Sequence, residues 1–131
     1  IYSSLSNPWE TSDIQPETCL SFGKDHVQRA QFKALKHGEI RPETRLDLHG
    51  FYLEEASNAL VQFIHHAREQ NMRCILVIHG KGGRFHEPPI LKNHVNHWLK
   101  QLPEVLAFHS ALARDGGHGA VYVLLKAQKK G

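Results

Sequence analysis

The sequence predicts an α/β fold, a two-layer sandwich with a four-stranded mixed sheet and two main helices. Three observations carry this reading. Cys74–Ile78 is a continuous apolar run, as a parallel strand buried on both faces requires. Leu53, Ala56, Leu60, Phe63, Ile64 and Ala67 recur just before it at helical spacing. Leu46 and Leu48 alternate with Asp47 and His49, the period of a strand whose faces differ, and Gly50 ends that strand.

Residues 1–24 come first and are rich in Ser, Asn, Pro and Thr, with isolated Trp9, Ile14 and Phe22. They keep no sustained period, so the segment is expected to be irregular. Its acidic character and anchor-like spacing of apolar residues predict an arm that docks on a partner; a strap across the domain is the alternative. Asp25 is placed to cap a short helix over about residues 26–36, which Gly38 ends. Residues 1–43 therefore read as an N-terminal extension, 44–127 as the domain and 128–131 as a basic tail.

Within the domain, the strand at Thr44–His49 leads to a helix over Tyr52–Gln70, whose Glu54 and Glu55 suit the positive end of its dipole. The buried strand Cys74–Ile78 and a loop at Arg84–Pro88 follow. Pro89 can open a second helix, in which Ile90, Leu91, Val95, Trp98, Leu99 and Leu102 share a face to about Gln101. Val105–Leu112 and Ala120–Leu125 complete the sheet. Right-handed crossovers make the first strands parallel, and the short final loop makes the last one antiparallel. His65, His66, His94 and His97 lie on these helices without a carboxylate or cysteine to complete a metal set, so they read as surface or structural residues.

A chain of 131 residues suits one domain. No window reaches 18 apolar residues, and the N-terminus lacks a basic-then-apolar leader, so the reading is a soluble, cytoplasmic protein with no membrane partner. Two cysteines, Cys19 and Cys74, make neither a disulfide framework nor a metal knuckle. Charge is uneven. Residues 1–20 hold Glu10, Asp13 and Glu17 and no Lys or Arg; beyond them 16 basic groups face 10 acidic ones, a net of +6. Such an excess makes a polyanion a reasonable partner.

Asp47 and His49 leave one face of their strand near its carboxyl end. A carboxylate there can fix an imidazole's tautomer and raise its basicity. The same residues also suit a turn cap and a half-buried histidine. In an open α/β sheet, ligands gather beyond the carboxyl ends of parallel strands, which brings His79-Gly80-Lys81-Gly82 to the same place. Glycines let backbone approach a phosphate, and a lysine would hold its charge. The loop lacks the Gly-Lys-Ser/Thr ending of a P-loop, and no Gly-x-Gly-x-x-Gly opens a helix, which argues against ATP and NAD.

Leu46-Asp47-Leu48-His49-Gly50, His79-Gly80-Lys81-Gly82 and Gly116-Gly117-His118-Gly119-Ala120 resemble, in order and interval, the three signature segments of the Smr (small MutS-related) domain. The resemblance covers roughly residues 44–127 and extends more weakly over Phe22–Pro42, which is similar to the extension of stand-alone proteobacterial Smr proteins. It implies a fold like the C-terminal domain of bacterial translation initiation factor three. It also implies endonuclease activity, as DNA nicking or as mRNA cleavage at stalled ribosomes, so nucleic acid is the expected partner and the ribosome a candidate one. The family's function attaches to Asp47 and His49 and to the loop at His79–Gly82. The chain departs at Tyr52, where many members have a capping Thr, and in its longer Arg84–Pro88 loop.

The expected catalytic set is Asp47, His49 and His79, and the expected phosphate-binding set is Gly50, Gly80, Lys81, Gly82, Gly83, Arg84, Gly116, Gly117 and Gly119. On RNA, His49 would take the 2′-hydroxyl proton and His79 would protonate the leaving oxygen, with no metal needed. On DNA, water must attack and a divalent ion near Asp47 would help, although one carboxylate is a thin site for it. Sparse carboxylates favour RNA. DNA nicking and a non-catalytic nucleic-acid or ribosome-binding module are the alternatives.

Overall fold

The computed structural model describes residue 5, residues 14–82 and residues 89–128. The chain runs β1 (Ser21–Gly23), α1 (Arg29–Lys36), β2 (Arg45–Asp47), α2 (Leu53–Glu69), β3 (Cys74–Ile78), α3 (Ile90–Gln101), β4 (Val105–Ser110) and β5 (Ala120–Leu125). The sheet order is β1-β4-β5-β3-β2. β2 and β3 are parallel, and β5 lies antiparallel between β3 and β4. The α/β class, the mixed sheet and the α2 and α3 helices are as the sequence predicts.

The sheet has five strands where four were expected. The fifth, β1, comes from the segment read as irregular and pairs antiparallel with β4 through Ser21–His109, Phe22–Phe108 and Gly23–Ala107. Three residues are too few for a period to emerge, so pairing with an existing edge decides their conformation. The arm reading does not hold for residues 14–24. Leu20 is buried, and Ile14 and Phe22 pack on the core. Trp9 lies outside the described residues. The first helix starts three residues after the expected 26, with Gln28 in the cap position instead of Asp25.

Side-chain alternation sorts the core onto two faces. Ile75, Val77, Val121, Val123 and Leu125 meet Leu60 and Ile64 of α2 and Val95, Trp98 and Leu99 of α3. Cys74, Leu76, Tyr122 and Leu124 meet Leu35 of α1 on the other face. Leu106 is an extra residue in β4, where the pairing with β5 slips between Val105 and Ala107. That bulge puts Val105 and Phe108 on the same face despite their odd separation. In β2, Leu46 and Leu48 join the α2–α3 core, so alternation turns Arg45, Asp47 and His49 towards the α1 side. No helix among the described residues is long and apolar enough to cross a membrane.

Candidate active site

The parallel register sets Asp47 opposite Ile78, and Leu48 N–H donates to the Ile78 carbonyl at 2.7 Å. The residues that follow each strand, His49-Gly50 and His79-Gly80, therefore leave the sheet side by side. An alanine methyl at Gly80 would lie 3.4 Å from the His49 Cβ. β5 begins at this same end, and its preceding turn closes the site. His79 and Gly80 both donate their N–H to the Gly119 carbonyl, at 3.0 and 2.9 Å. All three glycine-bearing loops meet at one end of the sheet.

Asp47 and His49 form the pair that the sequence suggests. The Asp47 Oδ1 accepts the ring Nδ1–H of His49 at 2.5 Å and its backbone N–H at 3.1 Å. A carboxylate that only accepts fixes the proton on Nδ1 and leaves the lone pair on Nε2. Both side chains are open, at 47% and 71% of full exposure. Partial burial pulls the Asp47 carboxyl upward. The two His49 hydrogen bonds and the charges of His49 and Arg45 outweigh that pull and hold it below the usual carboxylate range. Asp47 is thus ionised at neutral pH. Gly50, at φ +81°, makes the turn that ends the strand beside it.

His79 is built differently. It is 3% exposed, its Nδ1–H donates to the Gly80 carbonyl at 2.6 Å, and its buried Nε2 has no hydrogen-bond partner among the described residues. Burial pushes the imidazole down to about 4, helped by nearby Lys92 and only partly opposed by the Gly80 carbonyl. A neutral, enclosed ring does not suit the general-acid role expected of it. It suits a positioning role, holding the turn from β3 into the lysine loop.

This burial has a consequence for acid stability. The unfolded chain takes up the proton near 6.5 and the folded chain only near 4. Unfolding therefore binds a proton between those values, and stability falls as pH drops through that window, by on the order of 3 kcal/mol. His79→Asn, whose side-chain amide can stand where Nδ1–H meets the Gly80 carbonyl, is expected to flatten that loss in urea-unfolding midpoints compared between pH 7 and pH 4. Equal losses in both proteins would place the acid sensitivity elsewhere.

The glycines expected to offer amides to phosphate are mostly committed within the protein. Gly80 N–H goes to Gly119, Gly116 N–H to Ala113, Gly117 N–H to Leu112 and Gly119 N–H to Gly116. Those four amides set loop shape and are not free to meet a phosphate. Gly82 shows the constraint most plainly: at φ +67°, an added Cβ would come within 2.9 Å of the Pro89 Cα. Lys81, between Gly80 and Gly82, is exposed. Gly83 and Arg84 lie outside the described residues. His118, in the third motif, is not among the site residues that the sequence predicts. Its ring is half-buried with Nδ1 inward and unpartnered among the described residues, in the turn braced on Gly80. A histidine between two glycines was the available signal. Among the described residues, no three His, Cys, Asp or Glu side chains gather as a metal site.

Comparison with known proteins is consistent with this geometry. The Smr domain model matches residues 46–126. The ribosome rescue factor SmrB of Aliivibrio fischeri is 38% identical over 106 residues, which cover 81% of this chain and 57% of that protein. SmrB of Vibrio cholerae is 38% identical over 109 residues, covering 83% and 56%. The chain thus spans less than two thirds of the length of these relatives. The crystal structure of YdaL, a stand-alone small MutS-related protein from Escherichia coli, is similar with a TM-score of 0.80 and 28% identity over 94% of both chains. The Smr domain of Thermus thermophilus MutS2 is similar with a TM-score of 0.56 and 28% identity, over 63% of this chain and 98% of that one.

Proposed function

The chain belongs to the Smr family, and we propose that it is an endonuclease that cuts the phosphodiester backbone of nucleic acid, RNA in preference to DNA. One observation carries the reading. An ionised Asp47 takes the Nδ1–H of His49, which leaves a basic Nε2 on an exposed ring at the open end of the sheet.

On RNA, Nε2 of His49 takes the 2′-hydroxyl proton as that oxygen bonds to phosphorus. The bond from phosphorus to the 5′-oxygen breaks, giving a cyclic phosphate and a strand with a 5′-hydroxyl. His79 is too enclosed to give that leaving oxygen its proton; His118, on the third loop, takes over the role. Lys81 offsets the charge that builds on the phosphorane. The 2′-hydroxyl route draws on no metal. A divalent ion for DNA nicking would have, among the described residues, Asp47 as its one carboxylate here, which falls short of the six or more oxygens that calcium takes and would leave a magnesium ion held mainly by waters and substrate phosphate. We accordingly expect RNA cleavage to need no cofactor. Relatives named ribosome rescue factors support the ribosome as the larger partner and the cytoplasm as the place of action.

The test is incubation with end-labelled RNA, single-stranded DNA and supercoiled DNA, each with and without EDTA. The expected result is RNA cut in EDTA with cyclic-phosphate ends. Absence of cutting on every substrate, or RNA cutting abolished by EDTA, would overturn the proposal. Lys81→Ala is further expected to weaken RNA binding and lower the log–log salt slope by roughly one phosphate contact, or about 0.7 for a single strand. An unchanged slope across a salt titration would remove Lys81 from the contact surface.

A further inference from the structure

Two kinds of surface group flank the Asp47–His49 pair along the chain, and the nuclease reading uses neither. β2 is the edge strand of the sheet, so one side of its backbone is unpaired. On its amino-terminal side opens a groove of about 510 Å³ lined by Arg41, Thr44, Arg45, Leu76 and Arg114. Two acids also line it, and both are engaged. Glu43 accepts the backbone N–H of Arg73 at 2.6 Å, and Asp115 accepts the Tyr122 hydroxyl and pairs with Arg114 at 3.5 Å. Arg41 and Arg45 are exposed, and neither of these acids pairs with them, so the groove presents net positive charge. Arg45 lies two residues before Asp47 on the same face of β2, ~6.5 Å along the strand.

Beyond the pair, the chain turns at Gly50 and presents Phe51 and Tyr52, at 42% and 81% exposure. With Ile90 at 52%, they are the only exposed large hydrophobic residues among the described ones. Ile90 follows Pro89, which abuts Gly82 of the lysine loop. All three thus border the motif loops. Scattered exposed apolar residues are ordinary, but their confinement to the rim of one site asks for a ligand with flat apolar faces. Unstacked bases are such faces, and a duplex keeps them hidden.

We propose that edge strand β2 is a track for an extended single strand of nucleic acid. Arg41 and Arg45 hold phosphates on one side of Asp47–His49, and a base stacks on Tyr52 and Phe51 on the other. Guanidinium forks suit phosphate oxygens, and aromatic rings give sequence-tolerant grip. The proposal rests on the nuclease reading for the location of the cut, but it concerns binding and can be tested without cleavage.

The test uses the unaltered chain and three variants, Tyr52→Ala with Phe51→Ala, Arg41→Gln with Arg45→Gln, and both pairs combined. Anisotropy titrations would compare a labelled 2′-O-methyl RNA oligonucleotide, which cannot be cut through its 2′-oxygen, with its duplex, a DNA strand and an abasic strand. The unaltered chain should bind single strands at least tenfold tighter than duplex. The aromatic variant should lose roughly tenfold on strands with bases and nothing on the abasic one. The arginine variant should weaken on all strands and lower the salt slope by about 1.4, the share of two phosphates. Equal affinity for duplex, or an aromatic variant that loses as much on the abasic strand, would overturn the track. Failure of the unaltered chain to cut RNA, with this binding pattern intact, would instead sink the nuclease reading.

Discussion

His49→Ala is expected to lower RNA cleavage by about 10²–10⁴-fold, while binding of the same strand stays within a few-fold. The asymmetry follows from geometry. His49 sits at the exit of β2 with its Nδ1–H committed to Asp47 at 2.5 Å, so its remaining nitrogen is a base and offers no donor for docking. Removing the ring leaves β2, Leu48 and the turn at Gly50 intact, since Leu48 N–H still bonds to the Ile78 carbonyl. Asp47→Asn should give a smaller loss. An amide oxygen can still accept the Nδ1–H, but without the carboxylate charge the imidazolium formed in the reaction is less stabilised. Single-turnover cleavage and binding with the 2′-O-methyl strand separate the two effects. A His49→Ala chain that cuts at the unaltered rate would make the pair structural.

Much of the site was legible because its chemistry sits in short motifs at strand ends. Alternation in Arg45–Gly50 put Asp47 and His49 on one face, and the apolar run at Cys74–Ile78 predicted the parallel partner that brings His79 beside them. Depth was not legible. His79 and His49 each precede a glycine after a strand, yet one ring is enclosed and the other open. The difference arises because β3 is an inner strand flanked by β5 and the Gly119 turn, whereas β2 is the edge. Sheet order is a property of the whole fold and leaves no mark within a five-residue window. The engagement of the Gly80, Gly116, Gly117 and Gly119 amides is illegible for the same reason, since their partners lie on a loop about forty residues away or within their own turn. β1 carries no local signal, because it is a strand only by pairing with β4.

Deleting residues 1–24 is expected to lower the melting temperature by on the order of 10–20 °C. The described part of this segment is a strap. Leu20 is 3% exposed, its N–H donates to the Ser110 hydroxyl at 2.7 Å, and its carbonyl accepts the Ser110 N–H at 2.8 Å. The Phe22 ring meets that of Phe108, with centroids 5.5 Å apart. Burial of Leu20 alone contributes roughly 1.5–3 kcal/mol, and the half-buried Phe22 adds part of a similar amount. Deletion would also bare the edge of β4, an unpaired strand rich in apolar residues. Lys92 adds a polar cost. Its ammonium, 1% exposed on α3, donates to the Pro16 and Thr18 carbonyls at 2.9 and 2.5 Å, and both acceptors go with the strap. Lys92→Met in the full chain isolates that last contribution. It should cost less than the deletion, because the two carbonyls can turn to solvent while Leu20 and Phe22 stay in place. A docking arm would behave differently, leaving the melting temperature of the truncated chain unchanged and costing only association with a larger assembly. An unchanged melting temperature would restore that reading.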